Sequence, residues 1–241
     1  MAATTLRLSL CTAAALFAGG AWANEGAGQG GAPVDRYIFF GFGPFAGRQE
    51  NASWQSVKQF ADGVQVRAME VPVVWGAPRA KLLEAGKLDG RVVLVALGEG
   101  KNSYEVETVG FNERTAIRDE SGKQPAEQTI VPGGEGRLEL QGPAAKLAEK
   151  LTATGFPAHV SKDAGRFLCN EMLYELLRAQ RKNPTIAAVY FIHVPVLGST
   201  LLRDGKGVTV TPEYCGQFGR ALLSAVRELH PMAESATAAA R

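Results

Sequence analysis

Two residues of this chain, Cys169 and His193, have the types and the spacing for nucleophilic chemistry. Cys169 ends the stretch Ala-Gly-Arg-Phe-Leu-Cys, and a helical pattern over residues 171–180 follows it, which predicts a cysteine at the N-terminus of a helix. The free N–H groups and the positive end of the helix dipole stabilise a thiolate there, and the thiolate is the reactive form. His193 lies near the end of the apolar stretch 187–195, one helix and one strand later. A thiol with a nearby imidazole base is the minimum for thiol-based acyl transfer.

Both residues also have ordinary structural explanations. A cysteine at a helix start is often a small buried residue, and a histidine at a strand end often makes structural hydrogen bonds. A second cysteine, Cys215, lies at the start of the last predicted helix, and an oxidising compartment permits a disulfide between it and Cys169. A non-catalytic binding protein with that disulfide is therefore an alternative to an enzyme.

An acidic pair could complete the arrangement. Glu105 and Glu107 lie on the same face of a strand predicted over residues 104–111, because side chains two residues apart share a face. They form either a solvated acidic edge or a source of the acid that orients a histidine base.

A glycine-rich loop at residues 41–47 follows the first predicted strand. It lacks the third glycine of a dinucleotide-binding loop and the Lys-Ser/Thr pair of a P-loop, so nucleotide binding is not expected. Its two aromatic residues, Phe42 and Phe45, either fill the core or line an apolar slot for a small ring.

Length and composition limit the class of protein. The chain has 241 residues, of which 46% are hydrophobic and 21% charged, as in ordinary globular domains. The net charge of +2 is too small to predict a nucleic-acid or membrane partner, and no apolar run in the body of the chain could span a bilayer. The other histidines, His159 and His230, are isolated, and no metal-ligand spacing is present. We therefore expect neither a metal nor a cofactor.

The N-terminus has the layout of a secretory signal peptide over residues 1–23. Arg7 precedes an apolar, alanine-rich region at residues 8–17, and Ala-Trp-Ala then ends at Ala23, where cleavage is expected. The Gly- and Ala-rich residues 24–33 are predicted to be a flexible linker. These features predict a secreted or periplasmic protein, and a cytoplasmic one if the signal is not used.

The remaining residues alternate between strand and helix patterns. This alternation predicts a single α/β domain over residues 34–231, with a mainly parallel sheet covered by helices on both faces, and a disordered tail over residues 232–241. The polar segment 114–136 is predicted to be a long functional loop. The predicted strands cover residues 34–42, 64–73, 91–97, 104–111, 157–161, 187–195 and 208–211, and the predicted helices cover residues 52–61, 77–85, 144–154, 171–180 and 213–229.

In parallel sheets, functional sites form at the C-terminal ends of the strands. The loops 41–47 and 98–100, together with Cys169 and His193, are all predicted to lie there. Their convergence favours a functional site over four unrelated structural features.

These stretches together resemble the pyroglutamyl peptidases, also called pyrrolidone carboxyl peptidases, which are cysteine peptidases. Residues 41–47 and 51–54 resemble the family's Gly-Phe-x-Pro-Phe-Gly-Gly and Asn-Pro-Ser-Trp, with one change in each. Residues 164–170 resemble its nucleophile motif, and Ile-His-Val-Pro at 192–195 matches its histidine motif. Glu107 precedes an asparagine by the family's spacing. The resemblance covers nearly the whole chain after the N-terminal region.

The resemblance implies a three-layer α/β/α sandwich, often tetrameric, and removal of an N-terminal pyroglutamyl residue from peptides without metal or cofactor. It implies Cys169 as the nucleophile, His193 as base and acid, and Glu107 as the acid that orients the imidazole. The predicted partner is a small peptide with a blocked N-terminus. The residues expected to contact the substrate are Phe42, Phe45, Phe167, Glu99, Leu168 and Arg166.

Several departures from the family pattern leave the substrate open. Glu99 stands where many bacterial members have glutamine, and a carboxylate cannot donate a hydrogen bond unless it is protonated. Arg166 replaces a small residue, and it could stabilise the thiolate or block or recharge the pocket. Ala46 replaces a glycine, and the family's nearby arginine corresponds to Arg114 or Arg118. The alternative enzyme is a thiol amidohydrolase of the same fold that acts on another N-acyl group or lactam.

Overall fold

The computed structural model of the chain describes residues 32–86, 89–100, 102–203 and 205–233. Within these ranges the strands are β1 (Arg36–Phe42), β2 (Val66–Val71), β3 (Val92–Glu99), β4 (Tyr104–Glu107), β5 (Val109–Phe111), β6 (Arg137–Glu139), β7 (Ala158–Ser161), β8 (Ile186–Val194), β9 (Thr200–Arg203) and β10 (Lys206–Thr209). The α-helices are α1 (Ala52–Val57), α2 (Ala77–Ala85), α3 (Ala144–Ala153), α4 (Leu168–Lys182) and α5 (Pro212–Leu229).

Six strands form the central sheet, in the order β2-β1-β3-β8-β4-β7. The first four are mutually parallel, whereas β4 runs antiparallel to β8 and parallel to β7. The predicted mainly parallel sheet is therefore correct, with its last two strands reversed. Helical crossovers connect the parallel strands, as parallel pairing requires.

Helices cover both faces of the sheet and give two hydrophobic cores. Alternate residues of the central strands point to opposite faces, so Phe39 and Tyr190 belong to one core and Phe40 and Phe191 to the other. Helices α1, α3 and α5 pack on the first face, and α2 and α4 pack on the second. The three-layer α/β/α sandwich is confirmed.

The predicted strand over residues 104–111 is wrong as a single element. Strand β4 ends at Glu107, and the N–H and the hydroxyl of Thr108 both donate to the carbonyl of Ser161. Strand β5 then leaves the central sheet and pairs with β6, which was not predicted. Both halves alternate equally well, so the sequence pattern does not show where the chain changes its pairing partner.

The C-terminal strand prediction also changes. The predicted strand over residues 208–211 is β10, which begins and ends two residues earlier and forms a hairpin with the unpredicted β9. Both strands are short and largely exposed, so no core-facing alternation marks them.

The two ends of the domain meet. Val34 is buried and forms an isolated bridge with Met232. The N–H of Ala233 donates to the carbonyl of Val34 at 2.9 Å. The first two residues of the predicted disordered tail are thus paired with the start of the domain. The rest of that tail, the predicted signal peptide and nearly all of the predicted linker lie outside the described residues. No helix in the described ranges has the length and apolar character of a membrane span.

Candidate active site

Cys169 lies in the first turn of α4, as predicted. Gly165 has a φ of +75°, which lets the chain turn sharply before the helix. Phe167 occupies the N-cap position in an extended conformation, and no side chain caps the helix there. The amide of Asn170, fully buried, accepts from the N–H of Phe111 at 2.8 Å and donates to its carbonyl at 2.8 Å. These contacts fix the helix start while leaving first-turn N–H groups beside the sulfur.

His193 and Glu107 form a buried pair on neighbouring strands. Because β4 is antiparallel to β8, Glu107 lies opposite Phe191 and reaches His193 diagonally. The distance from His193 Nδ1 to Glu107 Oε1 is 2.8 Å, and the two residues are 4% and 0% exposed. Glu107 is therefore not part of a solvated acidic edge, and its carboxylate lies within hydrogen-bonding distance of the histidine ring. Glu107 is the last residue of β4, a strand that runs antiparallel to β8.

The side chain of Cys169 lies close enough to the imidazole of His193 to affect its pKa. Burial lowers the pKa of His193, but the negative charge and hydrogen bond of Cys169, followed by those of Glu107, raise it to about 10. The raised pKa favours the imidazolium form of His193. A thiolate that faces an imidazolium is the form that cysteine peptidase chemistry requires.

Two glycines let the end of β3 pass beside this pair. Gly98 is in register with His193, and a Cβ at that position would lie 2.6 Å from Cys169 Sγ and 2.7 Å from Phe191 Cζ. A Cβ at Gly100 would lie 3.1 Å from the ring of His193. Any side chain at Gly98 would displace the sulfur or the strand.

A small cavity of about 60 Å³ opens beside Cys169. Five of the six residues predicted to contact substrate line it, and its aromatic wall is ordered by ring contacts: Phe45 and Trp75 pack on Phe167 at 5.4 and 5.0 Å between ring centroids. Phe42 both packs in the core and faces the cavity. The lining residues are Phe42, Phe45, Arg48, Asn51, Val73, Glu99, Phe167, Leu168 and Cys169.

Arg166, the sixth predicted residue, does not line this cavity, and its role as a substrate contact stays a prediction. Its guanidinium lies 3.7 Å from the centroid of the Phe111 ring. It also pairs with Glu113 at 3.0 Å and Asp163 at 2.6 Å. These contacts hold its charge against the neighbouring loop instead of over the sulfur.

Arg48 is a cavity residue that sequence reasoning missed. Its Nη1 lies 2.5 Å from Glu99 Oε1, and the Glu99 side chain is only 1% exposed. A buried glutamate at a strand end needs a cationic or N–H partner, and that requirement was the signal that could have pointed to Arg48.

Of the two arginines that could match the family's arginine, Arg114 is the one tied to the helix of the nucleophile. It makes a two-pronged ion pair with the buried Glu171 of α4, at 2.8 and 3.0 Å. Arg118 instead donates to the carbonyl of Gly122 in the exposed loop. Arg114 thereby anchors the long loop against α4, two residues beyond Cys169.

Cys169 and Cys215 do not pair with each other, so the proposed disulfide between them is wrong. Cys169 and Cys215 are both free. Cys215 packs in the core on the α1, α3 and α5 face, whereas Cys169 packs against the core on the other face. Burial raises the pKa of Cys215 to about 12, which makes it a poor nucleophile.

Among the described residues, one group has the side-chain types and spacing that could hold a cation. Atoms of Glu105, Glu107 and His193 lie within 4.8 Å of one another. His193 already uses Nδ1 to bond Glu107, and Glu105 accepts from the hydroxyl of Ser103 at 2.9 Å. The expectation of no metal stays a prediction.

Comparisons with known proteins agree with this geometry. Residues 36–225 match the family model described as pyroglutamyl peptidase. The chain is 34% identical to a pyrrolidone-carboxylate peptidase of Gloeobacter violaceus over 175 residues, which cover 70% of this chain and 85% of that protein. It is 32% identical to one of Yersinia pestis over 169 residues, or 67% and 79% of the two chains.

Solved structures show the same fold. The crystal structure of pyroglutamyl peptidase I from Bacillus amyloliquefaciens superposes with a TM-score of 0.69 at 24% identity, covering 83% of this chain and 99% of that one. A mutant pyrrolidone carboxyl peptidase from Pyrococcus furiosus gives 0.65 at 27% identity, covering 80% and 98%. The chain belongs to the pyroglutamyl peptidase family.

Proposed function

We propose that this protein is a cysteine exopeptidase that removes an N-terminal pyroglutamyl residue from peptides through an acyl-enzyme. The observation that carries the proposal is the line from Cys169 through His193 to Glu107, buried beside a small, mostly apolar cavity. A nucleophile, a base and an orienting acid in this order are the parts that acyl transfer needs.

The first half of the reaction acylates the enzyme. The Cys169 thiolate attacks the carbonyl carbon of the scissile amide, which joins the pyroglutamyl residue to the next residue. A carbon–sulfur bond forms, and the oxygen of that carbonyl becomes an oxyanion. The oxyanion then collapses, the carbon–nitrogen bond breaks, and the His193 imidazolium gives its proton to the departing amine. Glu107 holds the imidazole in the orientation that permits this transfer.

The second half releases the product. Neutral His193 takes a proton from a water molecule, and the resulting hydroxide adds to the thioester. The carbon–sulfur bond breaks, giving free pyroglutamic acid and the regenerated thiolate–imidazolium pair. No step requires an oxidant, a reductant or a metal.

The N-terminus of α4 stabilises the oxyanion that forms when the thiolate attacks the amide and the one that forms when hydroxide adds to the thioester. Backbone N–H groups beside Cys169 have no side-chain cap, and donors of this kind stabilise developing negative charge. The positive end of the α4 dipole acts in the same direction.

The cavity suits the lactam ring of a pyroglutamyl group. That ring is small, flat and uncharged, so aromatic walls with a few polar groups bind it better than a lone charged residue. Phe42, Phe45 and Phe167 supply the walls, with Leu168 and Glu99 completing the lining.

The test is release of a fluorophore from a pyroglutamyl amide by the chain that begins at Asn24. We expect activity that requires reductant and is lost after iodoacetamide treatment. Cys215→Ala is the matched control for Cys169→Ala, and it should keep the activity that the second variant loses. No turnover with Cys169 free and alkylatable would overturn the assigned substrate.

A panel of other N-acyl and lactam amides, including acidic ones, separates pyroglutamyl peptidase activity from the same thiol chemistry on another group. We expect the pyroglutamyl amide to have the highest kcat/KM of the panel. A preference for a different acyl group would select the alternative amidohydrolase.

Two further proposals concern location and assembly. The signal-like residues 1–23 support export to the periplasm or the medium, with cleavage after Ala23. Family resemblance supports a homotetramer. N-terminal sequencing of the exported protein and light scattering of the purified enzyme test these proposals separately.

A further inference from the structure

Arg48 and Glu99 form a charged pair in a cavity that otherwise suits an uncharged ring. Glu99 ends β3, and its carboxylate accepts hydrogen bonds from Arg48 Nη1 at 2.5 Å and from the N–H of Leu197 at 2.6 Å. The N–H of Ala52 approaches its other oxygen at 3.4 Å. Two short hydrogen bonds occupy Oε1 and one long contact reaches Oε2, so the protein holds the Glu99 carboxylate in place as an acceptor.

The guanidinium of Arg48 has donors that Glu99 does not use. An arginine side chain carries five N–H groups in a rigid fork. In the described part of the chain, the Nη1 bond to Glu99 is the one hydrogen bond that this guanidinium makes. The Arg48 side chain is 37% exposed and lines the same cavity as Cys169, so its remaining N–H groups are accessible to a ligand there.

The pair is electrically suited to a neutral, carbonyl-bearing ligand. The charges of Arg48 and Glu99 cancel, so the cavity has no net charge that would attract an acidic acyl group. A guanidinium N–H is nevertheless a strong donor, because hydrogen bonds that involve a charged partner exceed neutral ones. The lactam carbonyl is the part of a pyroglutamyl ring that needs such a donor.

We propose that Arg48, oriented by Glu99, donates a hydrogen bond to the lactam carbonyl oxygen and is a specificity-determining residue of this enzyme. The inference rests on the proposed function and identifies how the cavity recognises the ring. It assigns Glu99 a positioning role, since the carboxylate holds the guanidinium of Arg48 through Nη1.

The test measures binding of the free lactam 2-pyrrolidone through protection of Cys169 from iodoacetamide, which does not depend on turnover. Arg48→Gln keeps an amide donor on a shorter side chain and removes the charged fork. We expect 2-pyrrolidone to bind about 10- to 100-fold more weakly, with KM for the pyroglutamyl amide rising by a similar factor and kcat changing far less.

Arg48→Lys keeps a cation beside Glu99 and tests the geometry of the fork, with an expected loss of about 3- to 10-fold. If Arg48→Gln fails to fold, Arg48→Lys provides the test of the proposed hydrogen bond. Arg220→Met, on α5, is the matched control for loss of an exposed arginine and should bind 2-pyrrolidone as the parent does. Arg220 contacts Gln59 at 2.7 Å and lies outside the cavity.

Unchanged 2-pyrrolidone binding in a folded Arg48 variant, with only thermal stability lowered, would overturn the inference and leave Arg48 a structural partner of Glu99. This outcome is distinct from failure of the proposed function, which would appear as absence of pyroglutamyl amide turnover in the unaltered protein.

Discussion

Cys169 and Cys215 lie in the first turns of two long amphipathic helices, α4 and α5. The two sites differ in the cap of the helix, in the burial of the thiol and in the side chain that faces it. At the start of α5, Thr211 caps the helix by accepting from the N–H of Tyr214 at 3.2 Å, and Cys215 is buried in the core. At the start of α4 no side chain caps the helix, and Cys169 faces His193. A helix N-terminus alone therefore does not make a nucleophile; the facing imidazole and the open cavity do.

The largest effect should separate the two thiols. Cys169→Ala should lower kcat/KM by at least about 10⁴-fold, because no other group can form the thioester, while Cys215→Ala should change it by less than about threefold. Fluorogenic assays at saturating and limiting substrate measure both, and circular dichroism checks that each variant is folded. Equal losses in the two variants would mean that the thiols act through stability and not through chemistry.

The pH dependence should show that the facing imidazole makes the difference. The pKa of His193 is raised from 6.5 to about 10, so the imidazolium and its contribution to stability are fully present below pH 6.5 and are lost as the pH rises through about 10. The kcat of the peptidase reaction should also fall as the pH rises through about 10, because the departing amine takes its proton from the His193 imidazolium. This fall is the alkaline limb of the pH–kcat profile. A pH–kcat profile measures it.

Glu107→Gln should sharpen that test. Loss of the carboxylate removes a charge and a charge-assisted hydrogen bond that raise the pKa of His193, so the alkaline limb should move to lower pH by about one unit or more. We expect kcat to fall by about 10²- to 10³-fold. An unshifted limb would show that a different group controls it.

A methyl group at Gly98 should disturb the α4 site and spare the α5 site. The added Cβ would lie 2.6 Å from Cys169 Sγ, so Gly98→Ala should cost about 1–3 kcal/mol of stability through overpacking and about 100-fold in kcat through misplacement of the sulfur. Urea denaturation and the fluorogenic assay measure the two effects. Gly207→Ala in the exposed hairpin is the control, and it should leave kcat unchanged.

The smallest effect lies in the loop that carries Phe45. Ala46 has a φ of +56°, and it is the one non-glycine residue with positive φ among the described residues. Ala46→Gly should raise the free energy of unfolding by about 0.5–1 kcal/mol, since glycine adopts this conformation without strain. Ala61→Gly, at a φ of −56°, should lower it by a similar amount. Stabilisation by both changes would contradict strain at Ala46.

The parts of this protein that local pattern determines were predictable. The alternation of strands and helices predicted the sandwich, and helix α2 was predicted to the residue, because a Gly before Ala-Pro and a Gly after Ala85 mark its ends. Asn51 directly precedes the predicted helix over residues 52–61, a position where asparagine is a preferred cap, and its side chain accepts from the N–H of Ser53.

The parts that depend on distant partners were not predictable. Reversal of β4, which brings Glu107 diagonally opposite His193, follows from which sheet edge the strand joins. The roles of Arg48 and Arg166 follow from which carboxylates and rings lie within reach, and residues far apart in sequence supply these partners. Residue types, spacing and the family resemblance identified the chemistry and five residues of the cavity lining, whereas the place of Arg48 in that lining required the fold.

The most direct test of the central claim is to trap the acyl-enzyme. The protein is mixed with excess pyroglutamyl amide, quenched in acid within the first turnovers, digested, and analysed by mass spectrometry. We predict one pyroglutamyl group on the peptide that contains Cys169, in the unaltered protein and in Cys215→Ala, and none in Cys169→Ala. Turnover without an adduct on Cys169, or an adduct on another residue, would contradict the account.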